Sequence, residues 1–283
     1  SITAVNVTGT ANDGIYARSY GAGALDITAT GAVTGRIGII AQNYVSGALD
    51  ISVVDVVGTN SDGINARNFG TDLTITATGD VTGNFVGIYA RNYGAGALGI
   101  TAADVTGGAV GIYARNFGAG ALSISAVNVS GGAGYRGIDA YNSSSSTGAL
   151  SISATGDVAG GDDGIFARNY GTGALSITAV NATGTANDGI YAYNRFSGTD
   201  LGITATGDVT GGDDGIDARN YGTGTLSITA VNVTGTANDG IYARNSNYGT
   251  DLTITATGDV SGGYDGIYAR NFGTGALSIT AVD

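Results

Sequence analysis

Residues 163–179 read DGIFARNYGTGALSITA, and near copies stand at 13–29 (DGIYARSYGAGALDITA) and 265–281 (DGIYARNFGTGALSITA). Apolar and polar residues alternate twice in the stretch, at Ile165 and Ala167 and again at Leu175, Ile177 and Ala179. Period two is the mark of a strand with one buried face. The isoleucine of the second alternation recurs at 2, 27, 51, 75, 100, 124, 152, 177, 203, 228, 254 and 279, at intervals of 24 to 26 residues with one of 28. From that isoleucine to the one in the first alternation (Ile15, Ile64, Ile88, Ile165, Ile190, Ile216, Ile241, Ile267) is 13 residues in eight units. Each unit therefore has two nearly equal halves, each with one short strand.

Between the strands lie TGTAND or TGGDD clusters, and Asp-Gly precedes the strand in seven units, which is turn chemistry. Two strands per unit of about 25 residues, without two-residue hairpin spacing, predict a coil that climbs and stacks on itself. The fold class is all-β: a single right-handed parallel β-solenoid of about eleven coils, without helices, continuous over residues 1–283 and uncapped at both ends. Propeller blades need longer units, and leucine-rich repeats a different pattern. At about 4.8 Å per coil the rod is roughly 5 nm long. Stacked Leu, Ile, Ala, Val, Ile and Ala fill it, leaving no room for an internal ligand.

Composition agrees. His, Cys, Met, Trp and Pro are absent, all 23 acidic residues are Asp and all 11 basic residues are Arg. Glycine is abundant, at 52 residues, yet the 42% hydrophobic content is regularly spaced and supports a core. The missing Met marks an excerpt or a processed chain. Glycine and polar residues interrupt every apolar run, so no membrane span is expected, and a net charge of −12 disfavours nucleic acid.

Any residue recurring in every coil becomes a column along the rod. Asparagine follows the arginine position at 43, 68, 92, 116, 142, 169, 194, 220, 245 and 271, as an outward ladder of stacked amides. The arginine column is Arg18, Arg67, Arg91, Arg115, Arg168, Arg219, Arg244 and Arg270, broken by Gln42, Tyr141 and Tyr193. Like charges one coil apart repel, so this column needs counter-charges, for which the Asp excess is the nearest source, or an anionic partner. Aromatic rows run through Tyr16, Tyr89, Tyr113, Phe166, Tyr191, Tyr242 and Tyr268, and through Tyr20, Tyr44, Phe69, Tyr93, Phe117, Tyr170, Tyr221 and Phe272. The tyrosine and arginine columns are the candidate partner-contact ladders: stacked rings, a neighbouring rod, or glycans would occupy them.

Thr or Ser follows the anchor isoleucine in all twelve copies, as in Thr204, which also fits an ice-binding face. The Asp-Gly corners faintly resemble calcium repeats but lack the nine-residue spacing, so no cofactor is expected, calcium at these turns being the one alternative. Asn6, Asn128, Asn142, Asn181 and Asn232 begin Asn-x-Ser/Thr triplets, candidate glycosylation sites. Catalysis requires a unique constellation; without His, Cys, Lys or Glu, the pairs Asp162/Asp163 and Asp213/Asp214 are what remains, and both are repeated turn residues. No enzyme is expected. The irregular segments 141–147 and 193–198 are where a ligand-specific patch would first be sought.

The style GIYARNYGTGALSITATGDVTG, which runs through the whole chain, resembles large bacterial β-helical surface proteins, including autotransporter-type adhesin passenger regions. That resemblance implies an extracellular or cell-surface protein, structural or adhesive. The same coil phase at both ends suggests self-association end to end and laterally, as a rod or filament; surface glycans are the alternative partner, and ice the third reading.

Overall fold

The computed structural model describes residues 1–195 and 197–282; Phe196, within the irregular segment 193–198, and Asp283 lie outside the described residues. The chain is a β-solenoid of about eleven coils, each of about 25 residues, with strands in parallel and no helix among the described residues. No helix is long and apolar enough to cross a membrane. Seven of the described coils have three strands where two were expected. A Leu strand (Leu98–Ala102, for example) bends into a Val strand (Val105–Gly107), and a corner leads to an Ile strand (Ile112–Asn116). The Val strand is the segment assigned to turns above. At two or three residues it is too short to show a period, and its pairing with the coils above and below makes it a strand.

Leu and Val strands form one sheet of 19 strands, and Ile strands the other, of 11. Every coil meets the next in register: Leu150 pairs with Leu175, Ile152 with Ile177, Ala154 with Ala179. The ATGDV units are one residue longer than the AVNV units, and the extra residue is absorbed by a register shift between Ala154 and Asp157, after which Val158 pairs with Ala182. In four coils, beginning at Leu150, Leu175, Leu201 and Leu226, the Leu and Val strands run on as one.

The core is a single continuous stack. Ile64, Leu73, Ile75, Val81 and Ile88 are fully buried, with Ala66 and Ala90 letting the two sheets approach. Each buried Ile or Leu contributes roughly 2 kcal/mol against exposure. The corner glycine, which follows Asp in seven coils, recurs in every coil for space rather than for conformation. Among the described residues only Gly47 and Gly134 have positive φ, whereas a Cβ at Gly164 would press on the Gly189 carbonyl of the next coil.

The asparagine ladder runs inside the rod, where an outward one was expected. Asn43, Asn68, Asn92, Asn116, Asn142, Asn169, Asn194, Asn220 and Asn245 are fully buried. Strand alternation puts Asn on the face of Ile and Ala, two residues after the buried Ala. In the full pattern, as at Asn169, the amide does three things. Asn169 Nδ2 donates to Asn194 Oδ1 in the next coil (2.9 Å) and to the Gly173 carbonyl of its own loop (2.7 Å), and its Oδ1 accepts from Gly171 N–H (3.3 Å). The ladder donates in one direction along the rod. Asn43 Oδ1 is left without a partner because the coil beneath it carries Ser19.

Asn169→Ala removes an amide on which four buried hydrogen bonds converge, counting the one from Asn142. A loss of roughly 3 kcal/mol is expected, measured by chemical denaturation. Asn271→Ala, in the outermost ladder position, costs visibly less; equal losses at the two positions would contradict a cooperative internal ladder.

Candidate functional site

The outer face of the Ile-strand sheet carries three columns side by side. The first holds Tyr16, Tyr89, Tyr113, Tyr191, Tyr242 and Tyr268, the second the arginines, the third the loop aromatics. First-column rings stack where they are adjacent: Tyr89 on Tyr113 (5.0 Å between centroids), Phe166 on Tyr191 (4.7 Å), Tyr242 on Tyr268 (5.1 Å). Arginines stand against them. Arg18 lies 4.7 Å from the Tyr16 ring, Arg91 4.8 Å from Tyr89, Arg115 3.9 Å from Tyr113, Arg168 4.6 Å from Phe166 and Arg270 4.7 Å from Tyr268. A cation over a ring face is worth about 0.5–1 kcal/mol at an exposed site, so the rings hold the guanidinium planes upright.

Among the described residues the Asp excess neutralises this column at two positions. Where Asp replaces the first-column aromatic it pairs with an arginine of the second: Asp139 with Arg115 (2.6 Å) and Asp217 with Arg219 (2.6 Å). Arg67, Arg91, Arg168 and Arg244 have no carboxylate partner among the described residues, and each buries an Nε that donates to nothing.

Tyr141 and Tyr193 do not interrupt the surface; they complete the third column. In their coils the residue two further on is Ser143 and Arg195, so the loop aromatic is missing. Residues two apart share a face, and Tyr141 fills the gap between Phe117 (6.0 Å) and Tyr170 (5.3 Å), as Tyr193 does between Tyr170 (5.7 Å) and Tyr221 (5.4 Å). At Arg244 the guanidinium itself sits between Tyr221 and Phe272, 5.3 Å from each. The exchange of Tyr and Arg across Asn194 was legible in the sequence as a swap at a spacing of two.

The corner aspartates face inward as a column. Asp163, Asp188, Asp214 and Asp239 are buried, and each accepts a backbone N–H from one coil on: Asp188 N–H to Asp163 (3.2 Å), Asp214 N–H to Asp188 (3.1 Å), Asp239 N–H to Asp214 (2.8 Å), Asp265 N–H to Asp239 (3.2 Å). They stitch corners together. Arg136 is the cation at one end, 2.8 Å from Asp163. Asp62, Asp163 and Asp214 are all raised above the ordinary carboxyl range by burial. Burial, reinforced by Asp217, pushes Asp188 up to about 8. Burial raises Asp217 to about 6 despite Arg219 beside it. Asp188, Asp213 and Asp214 have carboxylate oxygens within 4.8 Å of one another, the locus of the calcium alternative. The pairs weighed for catalysis are engaged in coil contacts: Asp162 with Asn187, Asp163 with Arg136, Asp213 with Asn238, Asp214 with the Asp239 N–H.

A further column, at the bend between Leu and Val strands, explains why two unit types alternate. Asn128 Nδ2 donates to Asp104 Oδ1 (2.9 Å), and its Oδ1 accepts from Asp157 N–H (2.8 Å). Asn181 links Asp157 to Asp208 in the same way, and Asn232 links Asp208 to Asp259. The longer unit brings a glycine over each Asn: a Cβ at Gly156, Gly207 or Gly258 would overlap the Asn oxygen of the coil before. An Asn coil therefore fits under an Asp coil.

Of the glycosylation candidates, Asn142 is corrected. It belongs to the buried ladder, where a glycan has no access. Asn6 and Asn232 are exposed, while Asn128, Asn181 and Asn232 already give their amide N–H to Asp. The Thr/Ser column stands outward and in register on the Leu strands, but its neighbour reads Asp26, Asp50, Thr74, Gly99, Ser123, a mixed rather than a uniform array. The 141–147 segment folds down on the coil beneath, with Ser146 Oγ on the Gly120 carbonyl (2.6 Å) and Thr147 Oγ1 on that of Ala119 (3.1 Å).

Asp188 has an ordinary value of 3.8 and a folded value of about 8, so the native state holds its proton more tightly than the unfolded one. Its contribution to stability is complete below about pH 4 and declines as pH rises toward 8. Thermal melts should show a lower midpoint at pH 9 than at pH 6, and Asp188→Asn should remove most of that difference. A wild-type midpoint that rises over this range would refute the assignment.

Comparison with family models, curated proteins and solved structures returns no match to this chain. What stands is the fold that the repeat style implied, a β-solenoid of tandem coils.

Proposed function

We propose that this chain is a structural, extracellular repeat protein whose function lies in being a rod, as a segment of a cell-surface or matrix fibre. One observation carries the reading: the side chains that could do chemistry are spent on holding coil to coil. The Asn amides bond to Asn amides, the corner Asp to backbone N–H groups, the Asp of the bend to Asn, and the rings to rings. A site differs from its surroundings, whereas these columns repeat. Association end to end and laterally, and an extracellular setting like that of the bacterial β-helical surface proteins it resembles, belong to the same proposal.

Adhesion to acidic surface glycans is the second reading. The guanidiniums of Arg67, Arg91 and Arg168, which lack a carboxylate partner among the described residues and stand against aromatic rings, favour it.

Excision separates a rod from a site. Removing residues 175–225, two coils, joins Ala174 to Leu226 and keeps the alternation, with Asn232 above Asp157 and Asn238 above Asp162. A folded protein shortened by about 1 nm is expected by solution scattering. Removing residues 175–200, one coil, instead sets Asp208 above Asp157 and forfeits the Asn181 and Asn187 bonds. It should lose about 1–2 kcal/mol more stability per coil removed. A binding activity wholly lost on the two-coil excision would place function in a local site and defeat the rod reading.

A further inference from the structure

The two sheets present opposite charge to solvent. Eight of the 11 arginines stand in one column on the Ile-strand face, most of them without a carboxylate. The bend of the other sheet carries the exposed carboxylates Asp104, Asp157 and Asp208, none ion-paired among the described residues. Grooves run beside that column. One of about 280 Å³ is lined by Asp104, Asn128 and Asp157 with Thr106 and Ser130, and a second of about 730 Å³ begins at Asp208, Asn232 and Asp259 and runs on to Ile267, Ala281 and Val282.

We propose that the arginine and tyrosine face of one copy docks into the Asp/Asn groove of a second copy, so that rods associate side by side through two different faces. Charge complementarity selects this pairing: with a net charge of −12, groove against groove is repulsive, and so is arginine column against arginine column. Both columns climb at the same coil rise, about 4.8 Å, so one guanidinium set on a carboxylate brings the arginine and the carboxylate of every second coil into step, with a bend Asn between them. An acidic glycan would occupy the arginine face and leave the groove unmatched, whereas a second copy neutralises both. Because the two faces differ, the contact is head-to-tail and extends into a sheet of rods rather than closing as a dimer.

The proposal rests on the rod reading, and its test keeps the two apart. The columns themselves supply the variants. Gln42 stands in the arginine column and Asn128 in the bend column, so Arg67→Gln with Arg91→Gln and Arg168→Gln, and Asp104→Asn with Asp157→Asn and Asp208→Asn, place residues the coils already accept. Sedimentation velocity of the wild-type chain at low salt should show open-ended assemblies that disperse at high salt. Each triple variant should associate at least about tenfold more weakly. An equimolar mixture of the two should pair rods two abreast and no wider, since each keeps one working lateral face. A wild-type chain monomeric at low salt, variants that assemble as it does, or a mixture that fails to pair would each overturn the proposal. So would a monomeric chain that binds polygalacturonate through the arginine column, which would make that face a glycan surface. Solution scattering of the same samples decides the underlying reading: a compact particle defeats the rod, while a rod of about 5 nm that stays single defeats the docking and the association proposed with it and leaves the rod itself standing.

Discussion

In this fold each residue lies about 4.8 Å from its counterpart in the next coil, and the rest of the structure depends on which side chains tolerate their own company at that distance. Leu, Ile and Val do, and they build the core. Amides do better, because an Asn is both donor and acceptor and can hand one hydrogen bond to the next, as Asn169 does to Asn194. Flat rings stack on flat rings, as Phe69 does on Tyr93 at 4.7 Å. Proline lacks the N–H that every strand gives to its neighbour, so its absence follows from the same rule.

Charge is the exception, and three different answers to it appear. In the bend column Asp alternates with Asn, so no carboxylate from Asn128 to Asp259 faces another across one coil rise. In the corner column the carboxylates do stack. Backbone N–H groups take the place of alternation, and burial with Asp217 nearby pushes the pKa of Asp188 up to about 8. In the arginine column the planar guanidinium behaves as a ring and intercalates, most plainly at Arg244 between Tyr221 and Phe272. Arginine can do this and lysine cannot, which accounts for a basic content made wholly of Arg.

The period, the Leu and Ile strands and the core were legible in the sequence because they repeat and alternate at period two. What escaped was either too short or spread across coils. The Val strand spans two or three residues, and its evidence is its pairing, Val81 on Val105. The inward turn of Asn was readable in principle, since it falls two residues after the buried Ala and, as at Asn169, two before a loop glycine; polarity argued the other way, and amide-to-amide hydrogen bonding inside the rod overrode it. The Asn/Asp alternation was visible as two unit types, but its cause lies between coils, in contacts such as Asn181 on Asp157, some 24 residues apart in sequence. Tyr141 and Tyr193 look like breaks along a single column; adjacent columns share a face and can trade residues.

That exchange bears on where function can reside. A column defect repaired by its neighbour, as Ser143 is by Tyr141, shows that the continuity of the surface matters more than the identity of any coil. Interior columns satisfy themselves, so substitutions there are felt as stability. The bend carboxylates and the guanidiniums are satisfied only in part, by Asn on one side and by rings on the other, and both retain uncompensated charge. In a structure built from self-matching columns, what remains unmatched within the molecule is its capacity to engage something outside it.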